Sequence, residues 1–223
     1  MPIKAVLLGS TGMIGQGVLL ECLENEQVES VLVINRSSCN VTHPKLKEII
    51  HKDVSDLSSL KEELSACNTC FFCLGISSAG LSESEYYKIT YDITTKVAAT
   101  LLSINKAFVF CYISGSGTDS SEKGKMMWAR VKGKTENALL AMPFKKAYMF
   151  RPGYIQPLKG IKSRTAWYNA MYVVLKPLYF ILKYSDKYVT DTQTLGKAMI
   201  NAVAKDYPKS ILESKDINQL GKG

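Results

Sequence analysis

Apolar and polar positions alternate in blocks along this chain. Continuous apolar, β-rich runs occur at about 3–9, 28–35, 46–50, 68–74, 107–113 and 146–150. Between and after them, apolar residues recur every three to four positions at about 13–25, 56–66, 83–104, 125–141, 165–183 and 192–206. Short continuous runs bounded by turn residues mark strands buried on both faces, and the longer period marks amphipathic helices. Strand and helix therefore take turns. That order predicts an α/β fold, a doubly wound parallel sheet with right-handed crossovers. No repeat, low-complexity tract or linker interrupts it. The chain reads as one domain over 1–223, with 155–223 as a small, helical extension on the substrate side.

The first strand–helix junction carries the sharpest chemical signal. The run Ile3 to Leu8 passes into Gly9-Ser10-Thr11-Gly12-Met13-Ile14-Gly15, and the first helix follows. A Gly-x-x-Gly-x-x-Gly turn in this context suits a pyrophosphate. The first glycine permits the tight turn, the second lets phosphate approach the backbone, and the third lets helix and strand pack closely. The phosphates then meet free N–H groups at the helix N-terminus, where the dipole favours anions. Ligands in such sheets bind beyond the carboxyl ends of the strands.

Composition bounds the rest. At 223 residues, 46% hydrophobic and 22% charged, the chain has an ordinary globular make-up and ample length for a core. Met1-Pro2-Ile3-Lys4 leads straight into a strand with no secretory pattern, so six reduced thiols and a cytoplasmic location are expected. Cys67-x-x-Cys70-x-x-Cys73 has metal-like spacing, but alternation along a strand puts Cys70 and Cys73 on opposite faces. No metal site is expected.

The net charge of +8 is uneven. Residues 1–121 hold 9 Lys and Arg against 13 Asp and Glu, whereas residues 122–223 hold 19 against 7. The basic half suits an anionic partner. A nucleic acid is not expected, because no recognised binding module accompanies the charge. The stretch Trp167 to Tyr184 is apolar and aromatic, but Lys176-Pro177 interrupts it. It is too short to span a bilayer. It reads as a lid helix over the substrate, with weak contact to an anionic membrane surface as the alternative.

Further motifs fall at the strand ends in order. They are Cys73-Leu74-Gly75, Ser114-Gly115-Ser116, a Lys132 in the next helix, and Arg151-Pro152-Gly153. With the glycine turn, these resemble the short-chain dehydrogenase/reductase superfamily, in its atypical, epimerase-type, NmrA-like and Tat-interacting-protein-like branch. The resemblance is close over 1–155 and looser beyond. It implies a Rossmann fold and an NAD(P) cofactor. It implies that Gly9, Thr11, Gly12, Met13, Ile14 and Gly15 surround the pyrophosphate. Asp53 and Val54 would contact adenine, Leu74 and Gly75 would pass under the adenosine ribose, and Pro152, Gly153, Tyr154 and Ile155 would lie beside the nicotinamide. Without the resemblance, Asp53 reads better as a turn or helix-cap residue.

The end of the second strand bears on cofactor choice. An acidic residue there would bind the ribose 2′-hydroxyl of NAD. This chain has Asn35-Arg36-Ser37. No carboxylate stands there to repel a 2′-phosphate, and Arg36 offers a guanidinium fork to grip one. Ser10 and Ser37 add hydroxyl donors. NADP is expected over NAD.

The family's proton-transfer group is a Tyr four residues before Lys on one helix face. Here that position is Trp128, in Trp128-Ala129-Arg130-Val131-Lys132. An indole N–H only donates and supplies no proton at neutral pH. Ser114 and Lys132 remain, the first to polarise a carbonyl and the second to hold the nicotinamide ribose. Trp128 fills the space or stacks on the substrate. Tyr86, Tyr87, Tyr91 and Tyr154 read as packing residues, and His43 and His51 lie away from the substrate side. The expectation is an NADP-binding oxidoreductase acting on a small anionic or hydrophobic carbonyl or alcohol. The alternative is a non-catalytic, NADP-sensing or partner-binding regulatory protein.

Overall fold

The computed structural model describes residues 2–161 and 188–222. Seven strands form one parallel sheet: β1 (Ile3–Leu8), β2 (Val28–Asn35), β3 (Leu46–Ile50), β4 (Thr69–Phe72), β5 (Val109–Ile113), β6 (Lys146–Arg151) and β9 (Ile211–Glu213). Their spatial order is β3-β2-β1-β4-β5-β6-β9. The order reverses between β1 and β4, so the crevice above that pair is the topological switch point, where such sheets bind ligands. Two further strands, β7 (Tyr154–Gln156) and β8 (Val189–Asp191), pair parallel in a small separate sheet.

Alternation along β1 explains the layering. Ile3, Ala5 and Leu7 enter one apolar cluster, and Val6 and Leu8 enter the other. The first cluster lies under α1 (Met13–Glu24), α6 (Thr192–Ala204) and α7 (Ser214–Lys222). The second lies under α2 (Lys61–Ser65), α4 (Ile93–Ile104) and α5 (Met127–Ala141). Helices on both faces and strands buried on both faces make a doubly wound Rossmann architecture. Cys70 packs in the second cluster and Cys73 against the first, so the two thiols face opposite sides of the sheet. Burial pushes both thiols far above the ordinary range.

Helices α1 and α6 cross closely at two glycines. A Cβ on Gly17 would lie 2.7 Å from Thr192 Cβ, and one on Gly196 would lie 2.8 Å from Glu21 Cγ. Neither position has room for a side chain of its own.

Several elements depart from the pattern reading, among them the short strands β7 and β8, which it did not include. The helix read at 83–104 is a short α3 (Glu83–Tyr87), a π-helical turn (Lys88–Asp92) and then α4. Strand β9 was missed because it is only three residues long. Its register, Met149 to Ile211 and Arg151 to Glu213, completes the sheet edge. The final helix α7 was missed because its apolar stripe is narrow, with Ile217 and Leu220 as its buried apolar residues. The helix read at 165–183, with its lid and membrane alternatives, lies outside the described residues. Among the described residues, no helix is long and apolar enough to cross a membrane.

Candidate functional site

The glycine turn is built by steric necessity. Gly9 has a φ of +88°, and a Cβ there would meet the Cys73 carbonyl at 2.7 Å. A Cβ on Gly15 would lie 2.0 Å from the Gly9 carbonyl oxygen. A Cβ on Gly12 has its nearest neighbour at 3.4 Å, so that position opens onto free space. The Gly12 N–H donates to the Gly9 carbonyl at 3.0 Å, which closes the turn. The Gln16 N–H then donates to Gly12 at 2.8 Å and begins the helix. Met13, Ile14 and Gly15 precede that first helical bond, so their N–H groups have no partner within the helix. No side chain caps this terminus and its first turn holds no acidic residue. The arrangement suits an anion.

The turn opens on a groove at the switch point. Its walls are Gly9, Thr11, Gly12, Ile34, Asn35, Arg36, Ser37, Val54, Cys73, Leu74 and Gly75. Nine of these were expected from the sequence. Ile34 and Cys73 were not, although each directly precedes an expected residue at a strand's carboxyl end. Met13, Ile14 and Gly15 start α1 beside the groove. Ser10 is fully buried, and its hydroxyl donates to Asn35 Oδ1 at 2.9 Å.

The adenosine side differs from expectation in two respects. Val54 lines the groove but Asp53 does not. The Asp53 carboxylate accepts from the Ser55 N–H at 2.9 Å and the Ser55 hydroxyl at 2.6 Å, the bond pattern of a turn residue. Those bonds hold its pKa below the usual value. A carboxylate does stand near the end of β2. Glu48, from β3, accepts from Asn35 Nδ2 at 2.9 Å. Register pairs Val33 with Glu48, which no local reading of β2 could show. Glu48 is not among the groove walls. Arg36 is exposed, and its guanidinium makes no hydrogen bond or ion pair with another described residue.

The second cluster of expected residues lies beyond β5 and β6. Lys132 Nζ donates to the Ser114 carbonyl at 2.5 Å. Burial lowers the Lys132 pKa to about 8, against the opposing pull of Glu136. The Ser114 hydroxyl donates to the Phe150 carbonyl at 3.1 Å and is buried. The Trp128 ring packs on the loop after β5. Its Cη2 lies 3.6 Å from where a Cβ on Gly117 would stand, and Gly117 has a φ of +85°. Ser114, Lys132 and Trp128 thus sit around one loop, with the serine hydroxyl turned to backbone.

The turn after β6 is tied on several sides. The Pro152 carbonyl accepts from the Ser116 N–H at 2.9 Å, and the Gly153 N–H donates to the Ser214 hydroxyl at 2.8 Å. The Tyr154 N–H donates to the Tyr188 carbonyl at 2.9 Å, and Ile155 belongs to the core. Arg151 is structural. It binds the fully buried Glu136 through Nε at 3.0 Å and reaches Ser120 Oγ at 2.6 Å.

Tyr86, Tyr87, Tyr91 and the two histidines are engaged in local structure. Tyr87 and Tyr91 stack at 4.7 Å beneath Lys134, and Tyr86 is buried. His51 Nε2 lies 2.7 Å from the Asp56 carbonyl, and His43 Nδ1 accepts from the Lys45 N–H at 3.1 Å.

Comparison with known proteins agrees with this geometry. The chain is 28% identical over 210 residues to the mitochondrial protein Fmp52 of Emericella nidulans, covering 91% of this chain and 88% of that one. It is 26% identical over 237 residues to the Fmp52 of Aspergillus niger, also named mitochondrial, covering 99% of each. These names overturn the cytoplasmic expectation; unpaired thiols suit either compartment. In fold, the chain resembles a short-chain dehydrogenase/reductase from Saccharomyces cerevisiae, with a TM-score of 0.68 at 14% identity over 97% of this chain and 99% of that one. It also resembles a short chain dehydrogenase from Burkholderia cenocepacia solved with NADP, with a TM-score of 0.67 at 11% identity over 98% and 92%. A family model matches residues 5–123, which include the glycine turn, the switch point and the Ser114 loop. The chain belongs to the NAD dependent epimerase/dehydratase family.

Proposed function

We propose that this chain is a mitochondrial oxidoreductase that binds NADP in preference to NAD and acts on a small anionic or hydrophobic carbonyl or alcohol. The observation that carries the reading is the groove at the switch point, walled by an uncapped glycine turn on one side and by an exposed Arg36 on the other. Gly9 to Gly15 take the pyrophosphate, Val54 borders adenine, and Leu74 and Gly75 run beneath the adenosine ribose. Arg36 grips the 2′-phosphate through its guanidinium, with Ser37 beside it. When bound, the nicotinamide supplies or accepts hydride. Lys132 orients the nicotinamide ribose and Ser114 polarises the carbonyl, with Pro152 to Ile155 flanking the ring. The whole of 1–223 acts as one unit.

Calorimetric titration tests the cofactor assignment. Wild-type protein should bind NADPH roughly tenfold to a hundredfold more tightly than NADH, the worth of one charge-assisted contact. Arg36→Ala should erase most of that preference and leave NADH affinity unchanged. Equal affinities in the wild type would overturn the assignment.

Two observations favour a second reading, a cofactor-binding protein without efficient turnover. The position of the family's proton donor holds Trp128, whose ring packs on the Gly117 loop. The Ser114 hydroxyl is committed to the Phe150 carbonyl. Trp128→Tyr separates the two readings. It should leave cofactor affinity unchanged and raise turnover of small aldehydes or diketones, by up to the 10²–10⁴-fold that general acid catalysis typically gives. A fast wild type with a slower tyrosine variant would make Trp128 part of a working site.

A further inference from the structure

Arg36 and Ser37 form a two-residue span on the groove wall, and both of its neighbours bind the same side chain. On one side, Asn35 donates through Nδ2 to Glu48 Oε1 at 2.9 Å. On the other, Ser38 Oγ donates to Glu48 Oε2 at 2.7 Å, and the Cys39 N–H donates to Oε1 at 2.8 Å. The chain then turns back at Asn40, whose φ is +53° and whose N–H donates to Ser38 Oγ at 3.0 Å. Asn35 Oδ1 receives the buried Ser10 hydroxyl at 2.9 Å, which ties the same network to the glycine turn. One carboxylate on β3 therefore links the pyrophosphate turn to the loop that presents the guanidinium.

Resting on the cofactor reading above, we propose that Glu48 is a positioning residue for cofactor choice: it clamps both ends of the Arg36–Ser37 span and so holds the guanidinium at the adenosine 2′-phosphate. The clamp is physically sound. Burial pushes the Glu48 carboxyl up, but hydrogen bonds from the Cys39 N–H, Ser38 and Asn35 outweigh it and hold the pKa at about 2. The group stays ionised throughout the working range, and three donors occupy its oxygens. The Arg36 side chain bonds to no other described residue, and the bonds that hold this span are those of its neighbours to Glu48. A long charged side chain on a fixed backbone loses less entropy when it grips a ligand.

Glu48 also acts in the opposite sense. Its charge lies one hydrogen bond from Asn35 and repels a 2′-phosphate. Three substitutions decide which effect wins. Glu48→Gln removes the charge, while its carbonyl oxygen still accepts from Asn35 and Cys39 and its amide still meets Ser38 Oγ. Glu48→Ala removes the clamp as well. Glu48→Asp keeps the charge but is one methylene too short to span both ends.

The readout is the ratio of NADPH to NADH affinity by calorimetry on the full chain. NADH affinity serves as the control for folding, since NADH lacks the 2′-phosphate. Glu48→Gln should keep the ratio within about threefold of wild type, and Glu48→Ala and Glu48→Asp should lower it roughly tenfold or more, the scale on which misplaced binding groups lose affinity. Should the alanine variant fail to bind either cofactor, the aspartate variant carries the same test. An unchanged ratio in Glu48→Asp, or a raised ratio in both Gln and Ala variants, overturns the clamp. That result differs from failure of the cofactor reading, in which the wild type shows no preference or Arg36→Ala has no effect.

Discussion

Gly15→Ala should abolish dinucleotide binding and lower the melting temperature together. The new Cβ would lie 2.0 Å from the Gly9 carbonyl oxygen, 2.6 Å from its carbon and 2.9 Å from Ser10 Cα. All three are backbone atoms, so no side-chain rotation relieves the clash. Gly9 has little room to retreat, because its backbone already lies against the Cys73 carbonyl just after β4, where even a Cβ would sit 2.7 Å away. Helix α1 must therefore move away from β1, taking the N–H groups of its first turn with it. A displacement near 1 Å costs about 100-fold in a positioned site. Gly12→Ala is the informative control. Its nearest neighbour is at 3.4 Å, so the free protein should melt normally. On the proposed reading its Cβ enters the phosphate space, so binding should still fall. Thermal melts and calorimetry on the two variants give the comparison. A Gly15→Ala variant that binds normally would mean that the ligand does not use this turn.

The second large effect is at Arg151. Its guanidinium holds the Glu136 carboxylate at 3.0 Å, and Glu136 is 0% exposed. Arg151→Met keeps the side-chain volume and strands that carboxylate in the core. Breaking a buried pair from one side costs about 3–5 kcal/mol. Folded domains have only about 5–15 kcal/mol in hand. For a chain of this size the melting temperature should fall by roughly 10 °C. The double variant Arg151→Met with Glu136→Leu should recover most of the loss, since no buried carboxylate is then left unpaired and Lys132 keeps its bond to the Ser114 carbonyl. If the double variant is as unstable as the single, packing rather than charge holds this site.

The architecture was legible because its causes are local. A turn that must admit φ +88° at Gly9 and a backbone contact at Gly15 leaves little choice but glycine, and the spacing shows in the string. Strands buried on both faces announce themselves as continuous apolar runs, as β1, β2 and β5 do. The groove wall was largely legible for the same reason, since strand ends place Asn35, Arg36, Leu74 and Gly75 beside that turn. What escaped depends on register. Glu48 sits between Lys47 and Ile49 in a short edge strand and reads as a solvated charge until β3 is laid against β2. The direction of the Ser114 hydroxyl depends on a carbonyl 36 residues away. Asp53 was the instructive ambiguity. Its use by Ser55 follows from sequence neighbours two positions apart, which made the plain turn reading available from the start.

The Gly17–Gly196 crossing has a consequence for how the molecule is made. Helix α1 is among the first elements synthesised, but its apolar face of Val18, Leu19 and Cys22 is covered by Leu195, Ala198 and Met199, near the end of the chain. The last strand of the main sheet, β9, arrives later still and closes the edge beside β6. Contacts this distant in sequence slow folding and prolong the life of partly covered intermediates. During synthesis, or during any passage through a membrane pore, the glycine turn exists before the layer that buttresses it. A chain cut short before α6 would therefore keep every glycine of that turn and still expose the apolar back of its first helix, an invitation to chaperones rather than to ligand.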